Sequence, residues 1–429
     1  MNKDNLIDVI VVGGGASGLF AAGSAAAAGA RVVLIEKGER LARKLLITGK
    51  GRCNLTNAES LEEFITNYGD NGKFLYRAFH EFFNDDLVEF FKSYGVETKV
   101  ERGGRVFPVS DKAETIVSAL ERYARDNGVE VWLSTRVSSV SVDEKRRIRG
   151  VKVFTENNDA AGGKLIKSRT VILATGGLSY PVTGSTGDGY VMARKLGHSI
   201  EPLLPALVGL ETSDGFVKRL QGLTLKNVRV TVFSGAKEAA SGFGEMLFTH
   251  FGVSGPVILR LSGNVAARMY NNEKIEMSVD LKPALSPEQL HARLMREFDA
   301  HGLKSFYNVM KLLLPASMVP VFVERSGIPA ERQCCRITRD ERANVVRLLK
   351  DLRFHISRTR PVEEAIVTRG GVNVREINPR SMESLIVKGL YFCGEVVDID
   401  GVTGGYNLQA AFSGARLAGI NAAGKGVEE

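Results

Sequence analysis

The chain of 429 residues contains little cysteine and little proline, with four cysteines and 12 prolines. Four thiols are too few and too widely spaced for the disulfide framework of a secreted domain. The low proline content and the absence of low-complexity tracts argue against a flexible linker or a collagen-like architecture. We therefore expect a folded protein of the reducing cytoplasm. The cysteines are Cys53, Cys334, Cys335 and Cys393.

The motifs of several enzyme classes are also missing. The six histidines are dispersed and neither H-E-x-x-H nor C-x-x-C occurs, so neither a metal site nor a redox disulfide is predicted. A P-loop and a G-x-S-x-G nucleophile elbow are absent. The glycines from Gly184 to Gly189 do not follow a strand-turn of the dinucleotide-binding kind. A separate NAD(P)H domain is therefore not expected, and NAD(P)H would bind only transiently as an electron donor.

One long uncharged run occurs between Asp8 and Arg31, where 22 residues carry no charge. Such a run is long enough to span a bilayer, but it contains six glycines and lacks the layout of a signal peptide. It divides better into a strand over 6–12, a helix over 17–28 and a second strand over 31–35. We expect no membrane segment here.

Glycine is abundant, with 46 residues in 429, well above the usual share of about 7%. Without a period of three, this excess marks places where the backbone turns sharply or approaches a ligand. Lys and Arg number 57 against 49 Asp and Glu, which gives a formal charge of +8. The length predicts about three domain-sized units with real cores.

A dinucleotide-binding fingerprint opens the chain. Gly13, Gly15 and Gly18 form G-x-G-x-x-G between a predicted strand and a predicted helix, and Glu36 ends the next strand. In such a turn the backbone approaches a pyrophosphate, which the unpaired N–H groups of the helix N-terminus bind. An acid at Glu36 favours a free ribose 2′-hydroxyl, so the site should hold FAD or NAD rather than NADP.

Two later segments favour FAD. The run 170–177 (TVILATGG) ends a predicted strand in small residues, which lets the chain pass close to a cofactor. Gly394 and Glu395 follow another predicted strand, and Gly404 and Gly405 precede a predicted helix. We expect Glu395 to accept a hydrogen bond from the ribitol, and the helix N-terminus to face the pyrimidine edge of the flavin.

The composition changes along the chain and predicts an α/β protein with an insert. Alternating polarity in 129–133, 137–142 and 149–154 predicts an antiparallel meander before the insert. Both ends of the chain have the same pattern of a strand, a glycine turn and a helix of small residues, which predicts a discontinuous Rossmann-like domain. The assigned boundaries are 1–196 and 354–429 for this FAD-binding domain, 197–285 for a β-rich insert and 286–353 for a helical lobe.

Seven segments together resemble the BaiN/RdsA-like bacterial flavoproteins, which are labelled FAD-dependent oxidoreductases and include a ribosomal RNA dihydrouridine synthase branch. The resemblance covers both halves of the predicted flavin domain and implies a β-barrel-like part and a helical-bundle part in the insert. Two departures are minor: Glu395 replaces the Asp of the wider superfamily, and Cys393 replaces a small residue. The segments are 13–22, 44–57 (KLLITGKGRCNLTN), 105–107, 172–177, 179–190, 370–384 and 389–414.

The fingerprint and the resemblance together assign the site residues. The FAD is expected to be bound without a covalent link. Cys53, Tyr406 and Arg52 are the catalytic candidates, with Cys53 as a proton donor or, alternatively, as a residue that merely packs against the ring. The predicted cofactor contacts are Gly13, Gly15, Ala16, Ser17, Gly18, Glu36, Lys37, Lys44, Gly51, Asn54, Val137, Thr175, Gly176, Gly394, Glu395, Gly404, Gly405 and Asn407.

Residues 331–360 hold nine Lys or Arg against four acids. Such a basic lobe would suit the phosphates of an RNA substrate, although basic helices also occur in proteins that never meet RNA. Three hypotheses stay open: reduction of a uridine in ribosomal RNA, reduction of a small metabolite such as an amino ketone or a steroid-like enone, and RNA binding with a structural flavin. The proposed RNA contacts are Arg332, Arg336, Arg339, Arg342, Arg347, Lys350 and Arg353.

Overall fold

The computed structural model of the chain describes residues 7–154 and 163–424. The chain forms two compact units, one comprising Met1–Leu204 and Ile366–Glu429, the other Pro205–Ala365. The first unit is thus assembled from two separated parts of the chain. Among the described residues, no helix is long and apolar enough to cross a membrane.

Strands and helices alternate through much of the first unit, while strands precede most helices in the second. The strands are β1 (Ile7–Val12), β2 (Val32–Ile35), β3 (Thr56–Asn57), β4 (Thr98–Glu101), β5 (Arg105–Pro108), β6 (Glu130–Trp132), β7 (Arg136–Val142), β8 (Ile148–Phe154), β9 (Lys164–Leu173), β10 (Leu204–Ala206), β11 (Leu210–Glu211), β12 (Thr224–Ser234), β13 (Lys237–Phe248), β14 (Gly252–Ser254), β15 (Ile275–Asp280), β16 (Leu352–Ile356), β17 (Arg358–Thr359), β18 (Val367–Arg369) and β19 (Leu390–Phe392). The helices are α1 (Ala16–Ala27), α2 (Arg43–Ile47), α3 (Leu61–Ile65), α4 (Tyr76–Glu81), α5 (Asn84–Ser93), α6 (Ala113–Asp126), α7 (Asp188–Lys195), α8 (Gly215–Arg219), α9 (Pro256–Tyr270), α10 (Pro287–Ala300), α11 (Phe306–Met310), α12 (Val319–Ser326), α13 (Arg339–Lys350) and α14 (Tyr406–Ala422).

The first unit is built on a seven-stranded sheet in the order β6-β2-β1-β9-β8-β7, with β19 paired to β9. Strand β1 pairs in parallel with β2 and β9, and β9 in parallel with β19. The register places Val12 opposite Ile35 and Leu173, and Leu173 opposite Phe392. The carboxyl ends of four strands therefore meet at one edge, which is where open α/β sheets bind ligands.

The central strands of this sheet are continuous apolar runs because both of their faces are buried. Val9, Ile10 and Val11 of β1 are completely buried, as expected for a parallel strand covered on both faces. Helices α1 and α14 pack on each other, and the rings of Phe20 and Phe412 lie 5.3 Å apart. The close approach needs small residues, since a Cβ at Gly419 would lie 2.5 Å from the Ala21 carbonyl oxygen.

The predicted antiparallel meander is only partly correct. Strand β6 pairs in parallel with β2, so it belongs to the nucleotide-binding sheet. Strands β7, β8 and β9 form the antiparallel part. The three residues of β6 are too few for their pattern to show whether the strand pairs in parallel or antiparallel. Its parallel pairing depends on β2, where Leu34 lies opposite Val131 although the two residues are far apart in the chain.

The second unit contains another seven-stranded sheet, in the order β16-β15-β12-β13-β14-β11-β17. Its two edge strands, β16 and β17, follow each other in the chain with only Ser357 between them. The two edges of the sheet are therefore close together, as in a barrel. The β-rich and helical parts share one hydrophobic core, to which Val230, Leu294 and Leu349 all contribute. The unit begins at Pro205, later than the assigned boundary at 197, and ends at Ala365, beyond the assigned boundary at 353. The later end follows from the pairing of β16 with β15 inside the unit.

Candidate functional site

The first glycine turn has the geometry of a pyrophosphate site. Gly13 adopts a φ of +105° and its N–H donates to the Ile35 carbonyl at 2.8 Å. A Cβ at Gly18 would overlap the Gly13 carbonyl oxygen, whereas a Cβ at Gly15 would meet no atom within 4 Å. Gly15 caps α1 without a side-chain hydrogen bond, and Ala16 and Ser17 begin the helix. Open space lies beside Gly15 at the positive end of a 12-residue helix.

Glu36 lies at the end of β2, where the ribose-binding acid was predicted. Its carboxylate accepts hydrogen bonds from the N–H groups of Gly14 and Gly38, both at 2.7 Å. The side chain thereby ties the glycine turn to the strand that follows it. The neighbouring Lys37 forms an ion pair with Asp188 at 2.7 Å and also donates to Thr186. Lys37 is therefore not an unpaired cation in this structure.

Gly394 and Glu395 lie against the first fingerprint, although 381 positions separate Gly394 from Gly13. Gly394 has a φ of +77°, and a Cβ there would lie 2.9 Å from the Cβ of Ser17. Burial raises the pKa of the adjacent Cys393 thiol to about 12, against a smaller opposing effect of its hydrogen bond with Ser17. The two glycine-rich segments thus form one continuous surface.

The Glu395 carboxylate is fully engaged by protein groups. One oxygen accepts from the Ser179 hydroxyl at 2.8 Å and from the Thr368 N–H at 2.7 Å, and the other accepts from Lys44 Nζ at 2.6 Å. Lys44 also donates to Ser179 at 2.6 Å. Ribitol recognition by Glu395 stays a prediction, and in this arrangement it would share the carboxylate with Lys44.

Cys53, the candidate acid, and its neighbour Arg52 both make contacts within the protein: Cys53 is buried and Arg52 forms ion pairs. Cys53 is completely buried, with a φ of +60°, and burial raises the pKa of its thiol to about 12. Arg52 forms two hydrogen bonds with Glu101 at 2.8 and 3.0 Å, and its guanidinium stacks 4.0 Å from the Phe107 ring centre. The carboxylates of Glu101 and then Asp111 raise the Arg52 pKa. These contacts favour the packing alternative for Cys53 and a structural role for Arg52.

The start of α14 is tightly held. Gly405 caps the helix with a φ of +102°, where a Cβ would overlap Thr56. The buried Tyr406 hydroxyl donates to Glu59 at 2.7 Å. Asn407 exchanges two hydrogen bonds of 2.8 Å with the backbone of Gly401. Gly404 and Gly405 thus place no side chain before the first turn of α14, where a helix N-terminus favours negative charge.

Two predicted contact residues carry buried polar atoms without a partner. Within the described parts of the chain, Asn54 Oδ1 and Thr175 Oγ1 are buried and accept or donate no hydrogen bond. Such atoms are rare in folded proteins, and a bound ligand or water would supply the missing partner. Together with the open space at Gly15, they fit a dinucleotide that would follow the strand ends.

Three other predicted contacts have no side chain available to bind a cofactor. Gly51 and Gly176 adopt φ values of +83° and +72°. Val137 is buried in β7 and pairs with Val153, so its side chain belongs to the core.

A pair of acids that the sequence reasoning missed lies in the loop before α14. Burial raises the pKa of the Asp400 carboxyl to about 6, aided by the charge of Asp398 and opposed by Arg369. Asp400 forms an ion pair with Arg369 at the long distance of 3.9 Å, and no hydrogen bond from the described residues reaches its carboxylate. Asp398 accepts from Asn71 at 2.8 Å, and burial raises its pKa as well. The motif VVDIDG was visible, but the desolvation of its acids depends on the fold.

Among the described residues, no group of three or more His, Cys, Asp or Glu side chains is placed to hold a metal ion.

Comparisons with known proteins identify the family of the chain. The sequence model of the HI0933-like protein Rossmann domain matches residues 7–421. The chain belongs to the HI0933-like family. It is an FAD-dependent oxidoreductase, and FAD is its cofactor. The HI0933-like assignment confirms the family resemblance and the α/β fold class deduced from the sequence.

Three curated relatives span nearly the whole HI0933-like chain. The 3-dehydro-bile acid delta(4,6)-reductase of Clostridium scindens is 31% identical over 96% of this chain and 98% of the relative. The ribosomal RNA dihydrouridine synthase of Haemophilus influenzae is 30% identical over 95% of this chain and 96% of its own. The enzyme of that name from Escherichia coli is 31% identical with the same two coverages.

Solved structures show the same fold at low identity. The 3-ketosteroid delta1-dehydrogenase from Sterolibacterium denitrificans, solved in complex with 1,4-androstadiene-3,17-dione, has a TM-score of 0.53 and 13% identity. The match covers 98% of this chain and 100% of that one. At this identity the likeness concerns the fold alone.

Proposed function

We propose that this flavoenzyme reduces the C5–C6 double bond of a uridine in ribosomal RNA. The observation that carries the proposal is the nearly full-length similarity to two ribosomal RNA dihydrouridine synthases. The formal charge of +8 supports it, because RNA contacts need an excess of Lys and Arg. Such a substrate also implies a cytoplasmic enzyme.

The residues at the strand ends would hold the cofactor. The N-terminus of α1 with Gly15 would bind the pyrophosphate, Glu36 a ribose, and the N-terminus of α14 the pyrimidine edge. When bound and reduced, FAD supplies a hydride. In this site the chain itself would orient the uracil so that C6 receives the hydride, and would deliver a proton to C5. NAD(P)H is the electron donor we expect.

Asp400 is the proton source that we favour over Cys53 and Tyr406. Cys53 has no exposed surface, and the Tyr406 hydroxyl is buried against Glu59. The Asp400 side chain is 20% exposed, lies in the loop docked on the first turn of α14, and has a carboxyl pKa of about 6. A carboxyl with such a pKa is partly protonated near neutral pH, which suits a general acid.

A second candidate function is the reduction of a small enone. The Clostridium scindens relative matches the chain as extensively as the two RNA enzymes. Its name and theirs describe reduction of a carbon–carbon double bond conjugated with a carbonyl group. The same hydride-plus-proton chemistry would serve both substrates, so sequence similarity alone does not choose between them.

The two candidates are separated by offering both substrates to the purified holoenzyme. Under anaerobic conditions with NAD(P)H, we expect the flavin to bleach and ribosomal RNA from a deletion strain to gain dihydrouridine, measured by mass spectrometry of nucleosides. A 3-oxo-4,6-diene steroid should stay unreduced. Reduction of the steroid without dihydrouridine would establish the second function, and a flavin that never bleaches would indicate a structural cofactor.

A further inference from the structure

Two stretches of the chain carry the same excess of positive charge. Residues 331–360 and residues 136–169 each contain nine Lys or Arg and four Asp or Glu. The first is the basic lobe noted from the sequence. The second covers β7, β8 and β9 and is here called the meander. The structure distinguishes them by what their cations contact.

Most cations of the lobe are neutralised within the second unit. Lys350 pairs with Asp280 at 2.6 Å, and Arg360 with Glu211 at 2.7 Å. Arg342 and Arg347 donate to a backbone carbonyl and to an asparagine side chain. Only two of the nine, Arg336 and Arg339, have no partner among the described residues. The remaining carboxylate-paired cations are Arg332 with Glu341, Arg353 with Glu276 and Asp351, and Arg358 with Glu211.

Most cations of the meander have no partner among the described residues. One of the nine, Arg169, contacts a carboxylate, that of Asp8 at 3.4 Å. Arg146 donates to two backbone carbonyls. The side chains of the other seven form no ion pair or hydrogen bond with described residues, and two of its four acids, Glu156 and Asp159, lie outside those residues. The seven are Arg136, Lys145, Arg147, Arg149, Lys152, Lys164 and Lys167.

The strand register places several of these cations on one face. Lys167 lies opposite Gly150, two residues before Lys152, so both lysines project from the same side of the sheet. Arg136 lies opposite Phe154 on that side, and the cationic groups of Arg136 and Lys152 lie 5.8 and 5.7 Å from its ring centre. All three cations are exposed.

The turn between β7 and β8 extends this basic surface. Lys145, Arg146 and Lys388 line a concavity of about 320 Å³. Glu383 is its one acidic lining residue, and that carboxylate accepts a hydrogen bond from the Gly389 N–H. The concavity is thus predominantly basic.

We propose that the meander face with Lys152 and Lys167, together with Lys145 of the adjoining turn, is the surface that contacts the phosphates of the RNA substrate. The inference rests on the proposed function and replaces the helical lobe as the main contact. An unpaired exposed cation contributes its whole charge to a phosphate, whereas the five lobe cations that pair with a carboxylate must first leave it. Ser139 and Ser141 of β7, which are half-buried and lie opposite Lys152 and Gly150, add neutral donors to this face.

The test compares two matched triple variants of the holoenzyme. One is Lys145→Gln/Lys152→Gln/Lys167→Gln, and the other is Arg336→Gln/Arg339→Gln/Arg347→Gln in the lobe. Binding of deproteinised ribosomal RNA from a deletion strain is measured across a series of KCl concentrations. The meander variant should bind at least about tenfold more weakly at low salt, and its slope of log K against log salt should fall by about 1 per lysine. The lobe variant should keep the wild-type slope.

The outcomes separate the surface from the function. A lobe variant with a reduced slope, beside an unchanged meander variant, would overturn the inference. Unchanged RNA binding together with lost binding to vesicles of anionic phosphatidylglycerol would also overturn it, since the face would then be membrane-directed. If wild-type enzyme forms dihydrouridine while the meander variant binds RNA normally, the surface is wrong and the function stands. If no dihydrouridine forms but the slope falls as expected, the function is wrong and the surface stands. Unchanged flavin absorbance of both variants serves as the folding control.

Discussion

Lys44 Nζ and a carboxylate oxygen of Glu395 lie 2.6 Å apart, although 351 positions separate the two residues. Their side chains are 24% and 18% exposed, so the pair is largely shielded from solvent. Ser179 bonds to both partners. The pair therefore connects helix α2 to the segment that follows β19, across the edge where the dinucleotide is expected.

This pair should be coupled energetically. Replacing Glu395 by Gln leaves Lys44 without its counter-charge, and we expect unfolding free energy to fall by about 1–3 kcal/mol. Lys44→Met should have a similar effect, while the double variant should lose less than the sum of the two. Urea unfolding of the flavin-free protein measures all four proteins. Strict additivity would show that the two residues do not interact in solution.

Gly15 and Gly18 should respond differently to the same substitution. At Gly15 a larger side chain enters open space where the pyrophosphate is expected, so Gly15→Val should weaken FAD binding at least about tenfold without lowering the Tm of the flavin-free protein. At Gly18 the side chain would overlap the Gly13 carbonyl, so Gly18→Val should lower that Tm as well. Flavin absorbance of the purified protein and thermal unfolding separate the two effects. A yellow Gly15→Val protein would show that the pyrophosphate lies elsewhere.

The local part of the site was predictable from the sequence because its pattern is local. The strand, the glycine turn, the helix and Glu36 lie within 30 residues, and the backbone demands of Gly13 and Gly18 follow from that spacing. The partners of Glu395 were not predictable, because Lys44 and Thr368 reach it only through the fold. The same holds for β6, whose parallel pairing is decided by β2.

The sequence did not show which of its cations are paired with acids. The counts in 331–360 and 136–169 are equal, yet pairing depends on acids such as Asp280 and Glu211 that lie far from the lobe in sequence. Desolvation is likewise a property of the fold. For that reason the burial of Cys53 and the raised pKa of Asp400 became visible only in three dimensions.

The four thiols should differ sharply in reactivity. Burial raises the pKa of Cys53 and Cys393 to about 12 and that of Cys334 to about 11, whereas Cys335 is exposed. A disulfide reagent at pH 8 should therefore modify one thiol rapidly in the native protein and four after unfolding. Cys335→Ser should abolish the rapid phase. A rapid phase that survives in Cys335→Ser and disappears in Cys53→Ala would return Cys53 to the position of candidate acid.

The pH dependence of stability should report Asp400. Its carboxyl has a pKa of about 6 in the folded chain, against about 4 when unfolded, so the folded state binds the proton more tightly. The resulting stabilisation is present below about pH 4 and is lost as the pH rises through about 6. The loss amounts to about 3 kcal/mol for a shift of this size. Urea unfolding between pH 4 and 8 measures it, and Asp400→Asn should flatten this part of the profile.

The same variant tests the role of Asp400 in proton delivery. If Asp400 protonates the substrate, wild-type turnover should decline above about pH 6, and Asp400→Asn should lose about 100-fold in rate together with that decline. Flavin absorbance should be retained, because the variant removes a charge without changing the shape of the side chain. Glu121→Gln, on the exposed side of α6, is the control and should alter neither profile. A flattened stability profile with wild-type turnover in Asp400→Asn would contradict this role. The carboxyl would then titrate as described but deliver no proton, and the next candidate acid would be Tyr406.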